Sequence, residues 1–525
     1  VPSLSRVALD GTLGSAKGEM LRVIETPFLA GDKVEFTGAA EMFCDDDKAA
    51  GEVARLLRLG LLWQTQFGAL RSTGFGKVLE AEVEFGPCQI ESKASEITEK
   101  TLSLDLDIRP RGPLCVARHK IGDNLFESEN FIPGNMLAGA VMQTAVELGI
   151  ADQEFKGAFD KIRFRHAYPT TADKQRPRVL PLSTVKAGKP SADGKIDHVF
   201  DLAKEAKPCR VLTRQDSYLA PEFPVDWKEH GDVLGALGWA RPASELRVRT
   251  AINSENRTAY RGEDGEGGKL FAWEMVHPFL GDKEKTPVVW RSRIDLAGIK
   301  DEDQLKAVGK TLAKALAHLS FVSKTKVRCE VEVSPVTETT AAPDLAHGET
   351  FALVLQTPAQ LADPRFQDVE GVPKSGAISA DDMFKLYAAV WSEPELSDGS
   401  LALSHHFAQQ RLAGGNYLGI RFQKKNNRPY NPWLLTEAGS VFVFTVTDAD
   451  KAKEKLADWL DTGLPLPEWA VSAFGDAWEH NPYRPANGFG EIAVHRPEFA
   501  VPTCEPITLA DPILSATACT PQSFG

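Results

Sequence analysis

Three stretches of the chain carry residue types and spacings suited to holding a phosphorylated ligand. In FIPGNMLAGAVMQTAVELG (Phe131–Gly149) a Pro133-Gly134 turn stands directly ahead of a run with helical apolar spacing. Asn135 is expected to cap that helix, and free N–H groups at a helix start seat phosphate oxygens well. The small Ala138, Gly139 and Ala140 let such a helix approach a sheet or a ligand backbone closely. Taken alone, an ordinary strand-turn-helix passage is the plainer reading.

The second stretch occurs twice. GALRSTGFGKV (Gly68–Val78), with Arg71, Ser72, Gly74 and Gly76, and NPYRPANGFGEIAV (Asn481–Val494), with Asn487, Gly488 and Gly490, share Gly-Phe-Gly before a closing strand. Glycine tolerates positive φ and lets a ligand's backbone come near. One such tripeptide is a plain turn, whereas two at the same place in a module ask for a shared reason. The third stretch, KIRFRHAYPTTADKQRPRV, interleaves Lys161, Arg163, Arg165, His166, Lys174, Arg176 and Arg178 with Phe164 and Tyr168. Bases of single-stranded RNA stack on such rings at about 1–3 kcal/mol each while cations follow the phosphates. A solvated strand face is the alternative. RFQKKNNR (Arg421, Lys424, Lys425, Arg428) is a smaller basic run, read as an exposed hairpin turn.

Catalytic spacing is sparse. Neither HExxH, a Walker A loop nor GxSxG occurs. His405 and His406 point to opposite faces if they lie in a strand, and His119, His166 and His198 are read as structural. Asp123, shortly before the Pro133-Gly134 turn, is the one local candidate for acid–base work. The seven cysteines are scattered and never spaced CxxC, which argues against a zinc ribbon or a disulfide framework. Cys209 with His198 or His230 is the only pairing that suggests a metal, and neither metal nor cofactor is expected.

The elements that must position these residues come as a repeat. RVALDGTLGSAKGEMLRVIETPFLAGDKVEF and RTAINSENRTAYRGEDGEGGKLFAWEMVHPFLGD both open Arg-x-Ala, at Arg6 and Arg249, and both reach Pro-Phe-Leu. Each continues into a helical stretch, Glu52–Gln64 or Asp303–Leu319. Each helix leads to an alternating strand, KVLEAEVEF (Lys77–Phe85) or KVRCEVEV (Lys326–Val333), though the second copy has SFVSKTKV where the glycine loop would be. Strand, turn, strand, helix, strand is the order of a split βαβ unit. The second copy is preceded by residues with no counterpart before Val1, so the chain is expected to start inside its first module. Ser334–Gly348 reads as a linker, and FALVLQT, YLGIRF and SVFVFTV as strands of a third module. That module's helix DADKAKEKLADWLDTG has Asp448 as N-cap and Gly463 as stop.

At 525 residues, roughly 150 per domain gives about three domains. No run approaches the roughly 20 apolar residues of a membrane span, no signal peptide shows, and the cytoplasm is the expected compartment. Sixty basic against seventy-three acidic residues leave a net charge of −13. Phosphate attraction then has to come from local patches.

FIPGNMLAGAV resembles the (Y/F)IPGSSLKGALR signature of the RAMP superfamily of CRISPR proteins, and the GFG loops resemble its glycine-rich loop. From about Thr101 to Val494 the chain resembles the Csx-ten family, the Cas-five-like subunit of type III-D effectors. KIRFRHAYP with RVLPLST, LRVRTAIN…GKLFAWEM, GNYLGIRF, AGSVFVF, GLPLPEW and NPYRPANGFGEI occur in that order. The first 95 residues resemble the second half of a Cas-seven-like module. The resemblance implies an α+β fold of tandem ferredoxin-like (RRM-like, RAMP) domains with insertions: 1–95, 98–334, 348–497 and an extended tail 498–525. It implies a subunit that grips the 5′ handle of guide crRNA, docks on the large Cas-ten-type subunit and the Cas-seven-like backbone, and lies near target RNA in antiviral defence. Sequence is then read by base pairing, the protein tracking backbone and shape. Carried over by residue, RNA would meet Pro133, Gly134, Asn135, the glycine loops (Arg71, Ser72, Gly74, Gly76, Asn487, Gly488, Gly490), Lys161, Arg163, Arg165, His166 and Arg249. No catalytic residue is implied, and Ala138 stands where the family has Lys or Arg. Two alternatives stay open: an endoribonuclease cutting target RNA through Asp123, and a protein-bridging scaffold, which the acidic balance favours.

Overall fold

The computed structural model describes residues 3–9, 16–25, 28, 31–38, 44, 46–67, 76–84, 86, 101–121, 125–186, 199–205, 209–212, 218–219, 231–252, 270–281, 283–319, 322–338, 341–363, 370, 379–415, 418–423, 432–475, 477, 480–495 and 504–506. The chain divides into two compact units, Val1–Gln89 and Ile90–Gly525.

In the first unit, β1 (Ser3–Leu9) pairs antiparallel with β2 (Ala16–Glu25), followed by helix α1 (Asp47–Leu62). The Asp46 carboxylate accepts the Ala49 N–H at 2.7 Å and so caps α1. Lys77 forms an antiparallel bridge with Gln66, and the Val78 N–H donates to Thr65 O at 2.9 Å, but among the described residues no strand pairs with 78–84, expected as a strand.

The second unit begins with β3 (Ser103–Pro110), β4 (Val116–Ile121), β5 (Leu125–Glu129), α2 (Gly134–Glu147), α3 (Gln153–Ala158), β6 (Arg163–Phe164) and β7 (Tyr168–Thr170). An insertion carries β8 (Thr184–Lys186), β9 (Val199–Asp201), β10 (Cys209–Leu212), β11 (Tyr218–Leu219) and α4 (Gly231–Ala236). The long hairpin β12 (Pro242–Thr250) and β13 (Leu270–Leu280) comes next, then β14 (Val289–Asp295), α5 (Glu302–Ala317) and β15 (Cys329–Val336). The main sheet has the order β15-β3-β14-β6, with β7 also on β14. Its register alternates as one covered face demands: Leu104, Leu106 and Ile108 point into the core. On the other face Arg291 pairs with Asp107 at 2.9 Å and Arg293 with Asp105 at 2.6 Å. α2 and α5 pack side by side over the apolar face.

The unit continues through β16 (Thr350–Leu355), α6 (Ala380–Trp391), β17 (Leu401–Phe407), β18 (Gln410–Ala413), β19 (Trp433–Thr436), β20 (Val441–Val446), α7 (Ala449–Thr462), α8 (Glu468–Phe474) and β21 (Ile492–Val494). Its sheet runs β17-β20-β16-β21, around a core of Trp391, Trp459, Phe442 and Phe444. Both sheets therefore share one plan. The last strand of the plan lies beside the first, and the third sits on the first strand's other edge. From the tail, β22 (Cys504–Pro506) pairs with β10.

Three local expectations differ from what is seen. Ser334–Val336 stay in β15, because Leu104 and Ser103 of β3 still offer them a ladder partner. YLGIRF is not a strand: Gly419–Gln423 coil into a helical turn, closed by the Gly419 N–H donating to Gly415 O at 2.8 Å. Pro133, not Asn135, is the N-cap of α2, and no side chain caps it. Within α2, Gly139 is exposed and a Cβ there meets nothing within 4 Å. Gly139→Ala is expected to raise stability by about 0.5–1 kcal/mol through helix propensity, checked by urea unfolding.

Candidate nucleic-acid interface

The Pro133-Gly134 turn, the RFRH strand and the second glycine loop, far apart in sequence, meet in one buried knot. The Gly134 N–H donates to His166 Nδ1 at 3.0 Å, which replaces the missing side-chain cap. A Cβ on Gly134 would sit 1.8 Å from Phe164 O and 2.6 Å from Asn487 O. Gly488 takes φ +90, and a Cβ there would lie 2.6 Å from both His166 Nδ1 and Phe164 O. The shared glycines thus serve main-chain contact between the two sheet modules. Phe489, between them, packs edge-on against the His166 ring, and Phe131 stacks on it. Burial first, then the positive charge of Arg176 and Arg163, holds the His166 pKa down at about 3, so the ring is neutral.

The arginines of the basic run lie inside. Arg165 grips Asp295 with two hydrogen bonds, 2.7 and 3.0 Å, and reaches Glu491 at 3.1 Å. It also donates to Leu460 O at 3.0 Å, and Arg163 donates to Asp461 O at 3.2 Å, so both guanidinium groups cap the C-terminal end of α7. Arg176 forks onto both Glu491 oxygens, at 2.7 and 2.8 Å, and its guanidinium lies over the Tyr168 ring. Burial alone would raise the Glu491 pKa, but Arg176 and Arg165 overcome it and hold the carboxyl well below the usual range. Burial likewise works against charge on Arg165, and Asp295 with Glu491 outweighs it.

In this knot three guanidinium groups share two carboxylates, leaving one positive charge in excess. The least compensated is Arg163. Its side chain is 5% exposed, it stands 3.7 Å from Asp295, and its Nε and Nη2 have no hydrogen-bond partner among the described residues. Burial, then repulsion from Arg165, lowers its pKa to about 10, so it stays charged at neutral pH. Arg163 lines a cavity of about 800 Å³ between the two sheet modules. Lys161 and Arg484 line it too, as do Asp160, which pairs with Arg484 at 3.5 Å, and Asp295. From the third module come Glu393, Glu395 and Glu468. Burial pushes the Glu393 carboxyl up, and it accepts the Glu468 N–H at 2.8 Å.

The expected residues therefore separate. Pro133, Gly134, Arg163, Arg165, His166, Asn487, Gly488 and Gly490 come together; Gly134, Arg163, Arg165, His166, Gly488 and Gly490 are buried, while Lys161 and Asn135 are exposed. Arg249 lies elsewhere, exposed on β12 with its guanidinium over Trp273. Gly76 belongs to the first unit, where it takes φ +66 and its carbonyl accepts the Phe67 N–H at 2.7 Å. Arg71, Ser72, Gly74 and Asp123 lie outside the described residues. Sequence reading missed Asp295, Glu491 and Arg484. A visible signal existed: charges standing inside apolar strands, as in VVWRSRID and GFGEIAV, ask for buried partners of opposite sign. Among the described residues no His/Cys/Asp/Glu group could hold a metal ion, and no helix is long and apolar enough to cross a membrane.

No protein-family model and no curated protein matches the chain. Among solved structures it is similar to a chain of the type III-B Cmr-beta complex bound to cognate target RNA and AMPPnP, at 10% identity and TM-score 0.31. That match covers 65% of this chain and 86% of that one. It is also similar to a chain of the Csm3–Csm4 subcomplex of the type III-A CRISPR-Cas interference complex (12%, TM-score 0.30, 65% and 94%). A third is a chain of the Csm1–Csm4 cassette with AMPPNP (14%, TM-score 0.21, 49% and 77%).

Proposed function

We propose that the protein is a non-catalytic RNA-holding subunit of a type III CRISPR effector, built of tandem ferredoxin-like modules. In this reading it binds the 5′ handle of the guide RNA in the cavity between its two complete modules and docks the large and backbone subunits. The observation that carries it is the buried, charged and partly unpartnered Arg163 on the cavity wall. A phosphate oxygen satisfies Nε and Nη2 and neutralises the excess charge of the knot in a single contact. Lys161 supplies a second cation at the mouth, while Glu393, Glu395 and Glu468 can accept from ribose hydroxyls and exocyclic amines. A mixed wall of this kind suits a nucleotide better than a bare anion. The resemblance of Phe131–Val141 and of the glycine loops to RAMP proteins supports the same reading.

Arg163→Met tests it. The apolar side chain keeps the volume and removes an uncompensated buried charge, so the melting temperature should hold or rise slightly. Affinity for guide RNA should fall about tenfold or more, and the slope of log affinity against log salt should shrink by about 0.7. Fluorescence anisotropy with labelled guide RNA over a salt series reads both. If affinity and slope are unchanged while the protein stays folded, the bridging scaffold is the better description.

A further inference from the structure

The cavity that Arg163 lines carries its charge in two layers. Arg163 and Asp295 are the buried ionisable residues of its wall and belong to the knot, where one positive charge is left over. The Arg163 guanidinium is fixed in place. Its Nη1 donates to Asp461 O at 3.2 Å, and Gly463, at φ +82, packs so close that a Cβ there would sit 2.6 Å from Nη2. Nε and Nη2, the atoms without a partner among the described residues, are the pair that a guanidinium offers side by side to two oxygens.

The outer layer has the opposite balance. Lys161 and Arg484 stand against Asp160, Glu395 and Glu468, two cations to three carboxylates before Glu393 is counted. Lys161, Asp160, Glu395 and Glu468 are exposed, Glu393 and Arg484 half-buried. Glu393 shows how this wall receives negative charge. Burial first, then the charges of Glu468 and Asp363, push its carboxyl up, although the Glu468 N–H donates to it at 2.8 Å. An anion seated on Arg163 thus finds one positive charge to neutralise and, beyond that, a wall negative on balance. A phosphate inside an RNA strand carries one negative charge. A phosphate at a strand's end carries close to two above neutral pH, its second pKa being about 6. The first matches the surplus of the knot. The second leaves a charge over, facing carboxylates across a protein-lined space where like charges repel more strongly than in water.

We propose that the cavity selects by charge: it takes a phosphodiester within an RNA strand and turns away a phosphomonoester at a strand's end. Arg163 grips two oxygens of that one phosphate, and Glu395 with Glu468 provide the rejection. The strand consequently runs through the cavity and does not terminate in it. This inference deepens the RNA-holding reading of the same site and rests on it.

The test sets adenosine 5′-monophosphate and its methyl ester in competition with labelled guide RNA for the full chain, in low salt at about pH 8, where the two share base and sugar and differ by one charge. The ester should displace the guide at a concentration at least about tenfold lower than the monophosphate does. Glu395→Gln with Glu468→Gln, both on the exposed part of the wall, should narrow that gap to about threefold or less by strengthening the monophosphate. Three results overturn the proposal: a monophosphate that competes as well as its ester, a gap that the double variant leaves unchanged, or an ester that displaces nothing at about 10 mM. Guide binding to Arg163→Met, measured alongside, separates this failure from that of the RNA reading. Where that substitution still weakens the guide, the RNA reading stands and only the charge selection falls. Guide binding indifferent to Arg163→Met takes down both.

Discussion

Glu491→Gln should cost about 3–5 kcal/mol, the range for breaking a buried ion pair by deleting one side. Glu491 is 3% exposed and serves two guanidinium groups, Arg165 at 3.1 Å and Arg176 at 2.7 Å. The amide keeps one acceptor but no charge, so the knot goes from one uncompensated positive charge to two. The loss falls on the contact between the modules, since Glu491 precedes β21 while Arg165 and Arg176 flank β7. Melting temperature should drop on the order of 5 °C or more. Adding Arg176→Met should recover part of the loss, a coupling that a double-mutant cycle reads directly. If the single change costs under about 1 kcal/mol, the knot is not what clamps the modules.

The same knot fixes the sign of the pH dependence. Glu491 has a native pKa held below its unfolded value of about 4.5, and His166 one of about 3 against 6.5. In both cases the unfolded chain takes up protons that the native state refuses, so stability rises with pH. The His166 contribution is present above about 6.5 and drains away as pH falls towards 3; the Glu491 contribution is present above about 4.5 and is lost further down. Glu491→Gln should therefore flatten only the more acidic part of the stability curve, leaving the decline between about 6.5 and 4.5 in place. Urea unfolding over a pH series separates the two limbs.

Much of the architecture was legible because period-2 and period-3.6 patterns survive in the core elements. SLDLDIRP and VFVFTV alternate or run apolar as sheet strands must, and Asp448 and Gly463 bound α7 where their chemistry says. Asp448 accepts the Lys451 N–H at 3.2 Å, and Gly463 has φ +82. What could not be read is what depends on partners distant in sequence. KVLEAEVEF has a strand's pattern, but pairing requires a neighbour, and among the described residues no strand pairs with 78–84. The basic run shows the same limit. Arg163, Arg165 and Arg176 read as a surface patch because their carboxylate partners lie over a hundred residues away. The glycine loop was found by its repetition, while its role as a contact between modules is set by the approach of Phe164 and His166.

Gly134→Ala should be among the most damaging single substitutions in the chain, costing roughly 3 kcal/mol or more. The added methyl would overlap Phe164 O at 1.8 Å, a main-chain atom that cannot swing away, with Asn487 O 2.6 Å off on the other side. Relief requires α2 to retreat from β6 and from the glycine loop, which breaks the 3.0 Å bond from the Gly134 N–H to His166. That leaves a buried imidazole acceptor and a buried donor unpaired, each costing about 1–3 kcal/mol. Gly139→Ala, one helical turn on, adds the same methyl to the same helix in open space and should stabilise. The opposite signs separate close approach from helix propensity, since propensity alone favours alanine at both places. RNA retention gives a further separation. Small shifts of β6 move Arg163 at the cavity wall, so a folded remnant of Gly134→Ala should bind guide RNA more weakly than Gly139→Ala at equal salt. Equal stability of the two variants in urea titration would remove main-chain packing as the reason for glycine at this turn, and with it the account of how the cavity wall is held.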